Sequence, residues 1–169
     1  MNWLERAATQ LRQLRKQALT CEGETADAVR PTLLGYEGTG GRIYWRQIAN
    51  VLPPECGFHA REHNPGGDAV NSALNYGYGV LYSHVWGAVM NAGLEPFAGL
   101  LHVDRSGKPS LVLDLVEEFR QPVVDRAVFT WLNKGGRLQL AKGLLDSSSR
   151  EEVAARVLTR LTATEQHRG

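Results

Sequence analysis

Two carboxylates in the second half of the chain are the first candidates for chemistry. Asp114 and Glu117 stand three residues apart in a largely apolar segment, so a helix would place them on one face. The buried stripe beside them is predicted to comprise Leu111, Leu115 and Phe119. Carboxylates at the edge of a core need a cation or hydrogen-bond donors to offset the loss of water. Asp114 and Glu117 therefore need a partner.

That partner could be a positive side chain or a metal ion. Arg120 or Arg126 could form an ordinary salt bridge, and helix periodicity alone favours this interpretation. The metal alternative needs further ligands, and Glu37 and His102 are the candidates. Glu37 precedes the glycine-rich stretch 38–41, which is expected to form a turn that leaves room for a nucleic-acid backbone. One imidazole with two carboxylates suits Mn²⁺ or Mg²⁺.

Two competing motifs receive less support. Cys56, His59 and His63 have the spacing of half a zinc site, but the sequence offers no clear fourth ligand. A loop that simply contains these three residues is the favoured interpretation. The glycine-rich stretch 38–41 lacks the Gly-Lys-Ser/Thr ending of a phosphate-binding loop, which argues against nucleoside-triphosphate binding.

Composition limits the class of protein. The chain has 169 residues, of which 43% are hydrophobic, enough for one globular domain with a real core. Nineteen basic and eighteen acidic residues give a net charge of +1, so a nucleic-acid surface must come from local clustering. Two cysteines without a CxxC pair favour a reducing, cytoplasmic compartment. No apolar stretch is long enough for a membrane span or a signal peptide.

Hydrophobic periodicity predicts a mainly α fold without a strong strand. The predicted helices cover residues 4–18, 43–52, 69–92 and 110–119, a segment that Pro122 starts or kinks, and a last segment after Ser147 to Ser149. Asp68 is expected to cap the third helix and Gly93 to end it. Gly77 and Gly79 inside this helix suggest close backbone packing. Gly135-Gly136 is expected to close the fifth helix.

Four blocks in order resemble the CRISPR-associated spacer integrase family and cover about residues 35–126. They are Glu37-Gly38 with Gly41-Arg42-Ile43-Tyr44-Trp45, the block from Asp68 to Gly79, Ala92-Gly93-Leu94-Glu95-Pro96 with the turn from Gly99 to His102, and the helix from Ser110 to Arg120. Each block alone is a weak signal. Together, in this order and spacing, they are specific.

The resemblance implies a single multi-helix catalytic domain over residues 1–169, with Glu37, His102 and Glu117 as catalytic ligands of Mg²⁺ or Mn²⁺. Asp114 would be a supporting acid. The family's N-terminal β-rich domain, which contributes to its homodimer, is not expected within this sequence, so a homodimer would need that domain to be supplied. Further implied partners are spacer and repeat DNA and the small ferredoxin-like second adaptation protein.

The implied reaction is spacer insertion, in which a DNA 3′-hydroxyl attacks a phosphodiester of the repeat. Two alternatives remain open: a nuclease that hydrolyses branched or single-stranded DNA, and a non-catalytic helical DNA-binding or docking module. The candidates for phosphate contacts are Arg42, Arg61, Arg105 and Lys108, which could equally be solvated surface charges. Asn75, Tyr76, Tyr78 and Tyr82 could contact DNA or serve as scaffold.

Overall fold

A computed structural model describes residues 2–62, 67–101 and 107–163 of the chain. It divides into two compact units, Met1–Val51 with His59–Arg61 and Leu52–Phe58 with Glu62–Gly169. Helices dominate both, so the predicted mainly α fold is confirmed. The single catalytic domain stays a prediction. Among the described residues, no helix is long and apolar enough to cross a membrane.

The first unit is built on a pair of helices, α1 (Trp3–Leu19) and α2 (Ala26–Val51). Helix α1 begins with a reciprocal cap, in which the Asn2 side chain accepts from the Glu5 N–H and the Glu5 carboxylate accepts from the Asn2 N–H. Two end groups of the helix are thereby satisfied. Helix α2 buries none of its residues fully.

The glycine-rich turn predicted after Glu37 is wrong, because α2 runs through it without a break. A glycine weakens a helix by only about 1 kcal/mol, and the contact between α1 and α2 offsets part of that cost. A Cβ added to Gly40 would lie 3.7 Å from a Leu11 methyl, at ordinary contact distance. The glycines therefore leave a helix surface with little side-chain bulk rather than a turn.

The second unit is centred on the long helix α3 (Ala69–Asn91), which packs against most of the other elements. In chain order these are a 3₁₀ turn (Pro54–Cys56), α4 (Ser110–Phe119), a π-helix (Arg120–Asp125), α5 (Arg126–Asn133), a short antiparallel hairpin of β1 (Leu140–Ala141) and β2 (Leu144–Leu145), and α6 (Ser147–Thr162). The two-residue strands are too short to produce a periodic sequence signal.

Capping residues explain where the long helices begin. Asp68 accepts from the Asn71 N–H at 2.8 Å and caps α3, as predicted, and Gly93 with φ of 68° follows its end. Helix α6 is capped by Asp146 rather than by the serines that follow it. The pKa of the Asp146 carboxyl lies below its ordinary value. The largest cause is a hydrogen bond with the Ser149 side chain, followed by one with the Ser149 backbone.

The buried stripe of α4 differs from the predicted one. Val112 and Val116 are buried, whereas Phe119 is 43% exposed and Leu111 and Leu115 are half-buried. The sequence segment is apolar on several faces, so its periodicity does not single out one stripe. Packing against α3 selects the valines.

Gly77 is a point of close approach between α3 and its neighbours. A Cβ added there would lie 2.6 Å from Val124 Cγ1 of the π-helix and 3.5 Å from Val153 Cγ1 of α6. Gly79, two residues later, is exposed and has no atom within 4 Å of the same position. The predicted close packing is therefore confirmed at Gly77 and wrong at Gly79.

These two glycines give a matched pair of substitutions. Gly77→Ala should lower the free energy of unfolding by about 1–3 kcal/mol through overpacking. Gly79→Ala should raise it by about 0.5–1 kcal/mol, because alanine loses less backbone entropy in a helix. Urea denaturation midpoints of both variants test this, and a Gly77→Ala protein as stable as the wild type would contradict the packing described.

Candidate active site

Asp114 of α4 receives two backbone hydrogen bonds from the segment before it. Its Oδ2 accepts from the N–H of Leu100 at 2.6 Å and from the N–H of Leu101 at 3.0 Å. Ionised acceptors form stronger hydrogen bonds than neutral ones. This carboxylate fixes the residues that directly precede His102 in the sequence, and the supporting role that the resemblance gives Asp114 stays a prediction.

Ser110, one helical turn before Asp114 in α4, holds the same segment. Its buried hydroxyl donates to the Phe97 carbonyl at 2.5 Å and accepts from the Gly99 N–H at 3.0 Å. A Cβ on Gly99 would lie 2.5 Å from Ser110 Cβ, so a side chain there would force the two apart. The start of α4 and the stretch from Phe97 to Leu101 form one hydrogen-bonded assembly.

Glu117 lies one turn beyond Asp114 and forms a salt bridge with Arg120 at 2.9 Å. The salt-bridge alternative considered for this residue is therefore present in the structure. The two side chains are 35% and 37% exposed, and ion pairs at such exposure contribute little net free energy. Arg120 therefore neutralises Glu117 weakly enough for another cation to compete.

Arg120 is itself held by Tyr78 of α3, whose ring lies 4.8 Å from the guanidinium carbon. The Tyr78 hydroxyl donates to Asp125 at 2.5 Å, and Asp125 is only 2% exposed. A buried carboxylate is costly without such a donor. Glu117, Arg120, Tyr78 and Asp125 therefore form a chain of contacts from the surface into the core.

The π-helix gives this chain of contacts its geometry. Pro122 has no N–H and cannot complete the usual α-helical hydrogen bond, and the wider turn follows directly after α4. Such turns are often found at functional sites. The sequence predicts that Pro122 starts or kinks a helix, whereas in the structure it lies inside the π-helix that joins α4 to α5. The first and last residues of this π-helix, Arg120 and Asp125, both contact Tyr78.

Glu37 lies in the first unit, exposed on α2. Its neighbours three and four residues later are Gly40 and Gly41, and a Cβ added to Gly41 would meet nothing within 4 Å. On its C-terminal side the carboxylate is thus flanked by a helix surface without bulky side chains. His102, the third proposed ligand, lies outside the described residues.

Within residues 2–62, 67–101 and 107–163, no three His, Cys, Asp or Glu side chains come together as a metal site. This finding does not include His102, so the predicted triad stays a prediction. For the zinc alternative, Cys56 is half-buried in the second unit, His59 is exposed in the first, and His63 lies outside the described residues. Burial, Glu55 and Asp68 raise the pKa of the Cys56 thiol above its ordinary value.

The predicted phosphate contacts occupy different environments. Arg42 is exposed and donates to the Thr39 hydroxyl at 3.0 Å. Arg61 lies over the Trp45 ring, 5.8 Å from its centroid. Lys108 is exposed, and Arg105 lies outside the described residues. Their role in DNA binding stays a prediction.

The mainly helical fold agrees with the resemblance noted in the sequence. The model of the family described as CRISPR associated protein Cas1 matches residues 2–157. The chain belongs to the Cas1 family. Named relatives agree: a CRISPR-associated endonuclease Cas1 of Archaeoglobus fulgidus is 40% identical over 160 residues, which cover 88% of this chain and 46% of that protein.

A second Cas1 endonuclease, of Thermus thermophilus, is 47% identical over 103 residues, which cover 61% of this chain and 32% of the relative. The chain thus spans less than half the length of these Cas1 proteins. Among solved structures, a Cas1 protein of Thermotoga maritima superposes with a TM-score of 0.76 at 24% identity, over 95% of this chain and 51% of that one. A chain of a partial Cas6-RT-Cas1–Cas2 complex gives 0.78 at 25% identity, over 93% and 48%.

A casposase bound to an integration product has the same fold, with a TM-score of 0.74 at 24% identity over 96% of this chain and 51% of the casposase chain. The Cas1 fold therefore extends over nearly the whole of this sequence.

Sequence reasoning missed Asp125 and the role of Tyr78. They are 47 residues apart, and no local pattern links them. Asp125 did carry a signal, because it stands with Arg126 as a charged pair between the apolar Val123-Val124 and Ala127-Val128. Tyr78 was considered for scaffold or DNA contact, and its burial assigns it to the scaffold.

The Tyr78 hydroxyl should make a measurable contribution to the free energy of unfolding. Tyr78→Phe removes one donor from the buried Asp125 carboxylate and should cost about 1–3 kcal/mol of unfolding free energy. Tyr82→Phe, one turn later and half-exposed, is the control and should stay within about 0.5 kcal/mol. Equal stability of the two variants in chemical denaturation would contradict the assignment.

Proposed function

We propose that this chain carries the catalytic centre of a CRISPR spacer integrase. The reaction is transesterification: a DNA 3′-hydroxyl loses its proton, its oxygen forms a bond to the phosphorus of a repeat phosphodiester, and the displaced oxygen leaves with a proton. Spacer and repeat DNA are the substrates, and the second adaptation protein is the partner. The Cas1–Cas2 complex among the solved relatives supports that partner.

The observation that carries this proposal is the double hydrogen bond to Asp114. A carboxylate that accepts from two consecutive backbone N–H groups, at 2.6 and 3.0 Å, fixes the chain just before His102 against the turn of α4 that presents Glu117. Precise positioning of ligands is what a catalytic metal site requires from its surroundings. A helix that only needed a soluble face would not require this arrangement.

The donor atoms suit a hard divalent cation. Glu37 and Glu117 supply carboxylate oxygens and His102 an imidazole nitrogen, a set compatible with Mg²⁺ or Mn²⁺. Glu117 is half-buried, and its salt bridge with Arg120 is partly exposed, so a divalent cation could compete for this carboxylate. Bound by these three residues, the ion would polarise the phosphate and stabilise the charge that develops during attack.

The remaining groups orient the site. Arg120 limits the positions open to the Glu117 side chain, and Tyr78 limits those open to Arg120. The glycines beside Glu37 leave space for a nucleic-acid backbone to approach the carboxylate. These residues bind and position, and the proton of the attacking hydroxyl passes to a carboxylate of the site or to water.

Hydrolysis is the second candidate, because water could replace the 3′-hydroxyl in the same site. The endonuclease names of the relatives favour it as an additional reaction. Joined and hydrolysed products differ in length and distinguish the two. A purely docking role would give neither product.

Metal binding should stabilise the folded protein. With Mn²⁺ at about 100 times its dissociation constant, the gain in unfolding free energy should be about 2.7 kcal/mol. Thermal unfolding of the wild type should therefore shift upward with Mn²⁺, whereas His102→Ala and Glu117→Gln should shift little. Glu118→Gln, an exposed neighbour on α4, is the control and should behave as the wild type. An equal shift in all four proteins would place the ion elsewhere.

Joining activity should depend on the same residues. Glu37→Gln, His102→Ala and Glu117→Gln should each reduce strand joining by at least about 100-fold, since each removes a ligand. Asp114→Ala should reduce it and raise the Mn²⁺ concentration needed, whereas Asp114→Asn, which keeps one acceptor oxygen, should restore part of it. A gel assay with a labelled 3′-hydroxyl strand and a repeat duplex measures this. Full activity of all the ligand variants would exclude the proposed site.

A further inference from the structure

A cleft of about 410 Å³ opens between α5 and α6 in the second unit. Four of the residues that line it are cationic: Arg126 and Lys134 of the α5 side, and Arg156 and Arg160 of α6. None of them belongs to the phosphate contacts predicted from the sequence. The whole chain has a net charge of only +1, so four cations around one cleft are a strong local excess.

The cations lie in two pairs, one on each wall of the cleft. Arg156 and Arg160 are one helical turn apart, about 6 Å along the axis. Arg126 and Lys134 are two turns apart, about 12 Å, with the Thr130 side chain between them. This spread is too wide for one phosphate to contact all four. A polymer with a negative charge at each repeat could contact them in succession.

Trp131 fixes one of these cations in place. The Arg156 guanidinium lies 4.7 Å from the centroid of its ring. Gly136 has no side chain to displace the indole, since a Cβ there would lie 2.4 Å from Trp131 Nε1. Stacked arginines lose less entropy on binding phosphate. Arg156 also pairs with Glu152 at 2.8 Å, an exposed contact that an incoming phosphate could replace.

The cleft adjoins the segment that follows the candidate active site. Arg160 Nε donates to the Pro122 carbonyl of the π-helix at 3.0 Å. Glu117 and Arg126 lie on one continuous helical run, nine residues apart, or roughly 13 Å at the rise of an α-helix. A strand in the cleft could therefore continue toward the carboxylates of α4.

We propose that the cleft between α5 and α6 binds the phosphodiester backbone of DNA on one side of the bond that reacts. The inference rests on the proposed function for the identity of the polymer as DNA. Arginine, lysine and threonine side chains are the usual contacts of phosphate oxygens, and they fix register without reading sequence. An acidic protein segment would also match the charge, and the binding experiment below distinguishes it from DNA.

The test measures the salt dependence of DNA binding in EDTA, where no joining takes place. The double variant Arg126→Gln/Lys134→Gln removes two exposed cations of the cleft. The control, Arg15→Gln/Lys16→Gln, removes two exposed cations of α1 and the same net charge. Each lost phosphate contact should lower the slope of log K against log salt by about 0.9 for duplex and 0.7 for single-stranded DNA.

We expect the cleft variant to lose about 1.4 to 1.8 of that slope and the control to keep the wild-type slope. An unchanged slope, an equal loss in both variants, or a wild type that binds no DNA would overturn the proposal. If the double variant unfolds, the single variant Lys134→Gln should lose half as much slope. An unchanged slope in that single variant would also overturn the proposal. If the cleft variant loses binding to polyglutamate but keeps the wild-type slope for DNA, the proposal is overturned in favour of an acidic protein partner.

The joining assay separates this inference from the proposed function. A wild type that joins DNA, with a slope that does not depend on Arg126 and Lys134, would refute the cleft alone. A slope that depends on them in a protein without metal-dependent joining would refute the catalytic proposal alone.

Discussion

The backbone of α3 at Gly77 lies directly against Val124 of the π-helix, and much of the second unit depends on this close approach. The next residue on each side, Tyr78 and Asp125, forms a buried hydrogen bond. Gly77 and Val124 therefore pack against each other, while the adjacent Tyr78 and Asp125 form a hydrogen bond. Together they set the position of the π-helix, and thereby the direction in which Arg120 leaves the end of α4.

The three carboxylates of this region are stabilised in three different ways. Asp114 accepts from backbone N–H groups, Glu117 pairs with the half-exposed Arg120, and Asp125 accepts from the buried Tyr78 hydroxyl. The Asp125 interaction fixes the core, because an unpaired buried charge is costly, and the half-buried Asp114 fixes the segment before α4 through two backbone N–H groups. The partly solvated pair is the one that can exchange its cation. This division is consistent with Glu117 as the ligand and the others as supports.

Charge is distributed unevenly in a chain whose totals nearly cancel. Acidic side chains lie on α4, whereas Arg126, Lys134, Arg156 and Arg160 surround the cleft beside α5 and α6. A catalyst that holds a cation and binds a polyanion needs both kinds of surface, and net charge reports neither. Local clustering, which the composition made necessary for any DNA-binding surface, is found at four cations that are not among those the sequence first suggested.

The sequence by itself determined the mainly α fold, the cap at Asp68 and the shared face of Asp114 and Glu117, because these depend on periodicity and on hydrogen bonds within a few residues. Its motifs also determined the family. The ligand triad and the DNA contacts remain predictions from those motifs. Only the tertiary structure decided that α2 continues through its glycines, that the valines of α4 are buried, and that Tyr78 meets Asp125. Each of these depends on residues far apart in the chain, whose contacts outweigh local propensity.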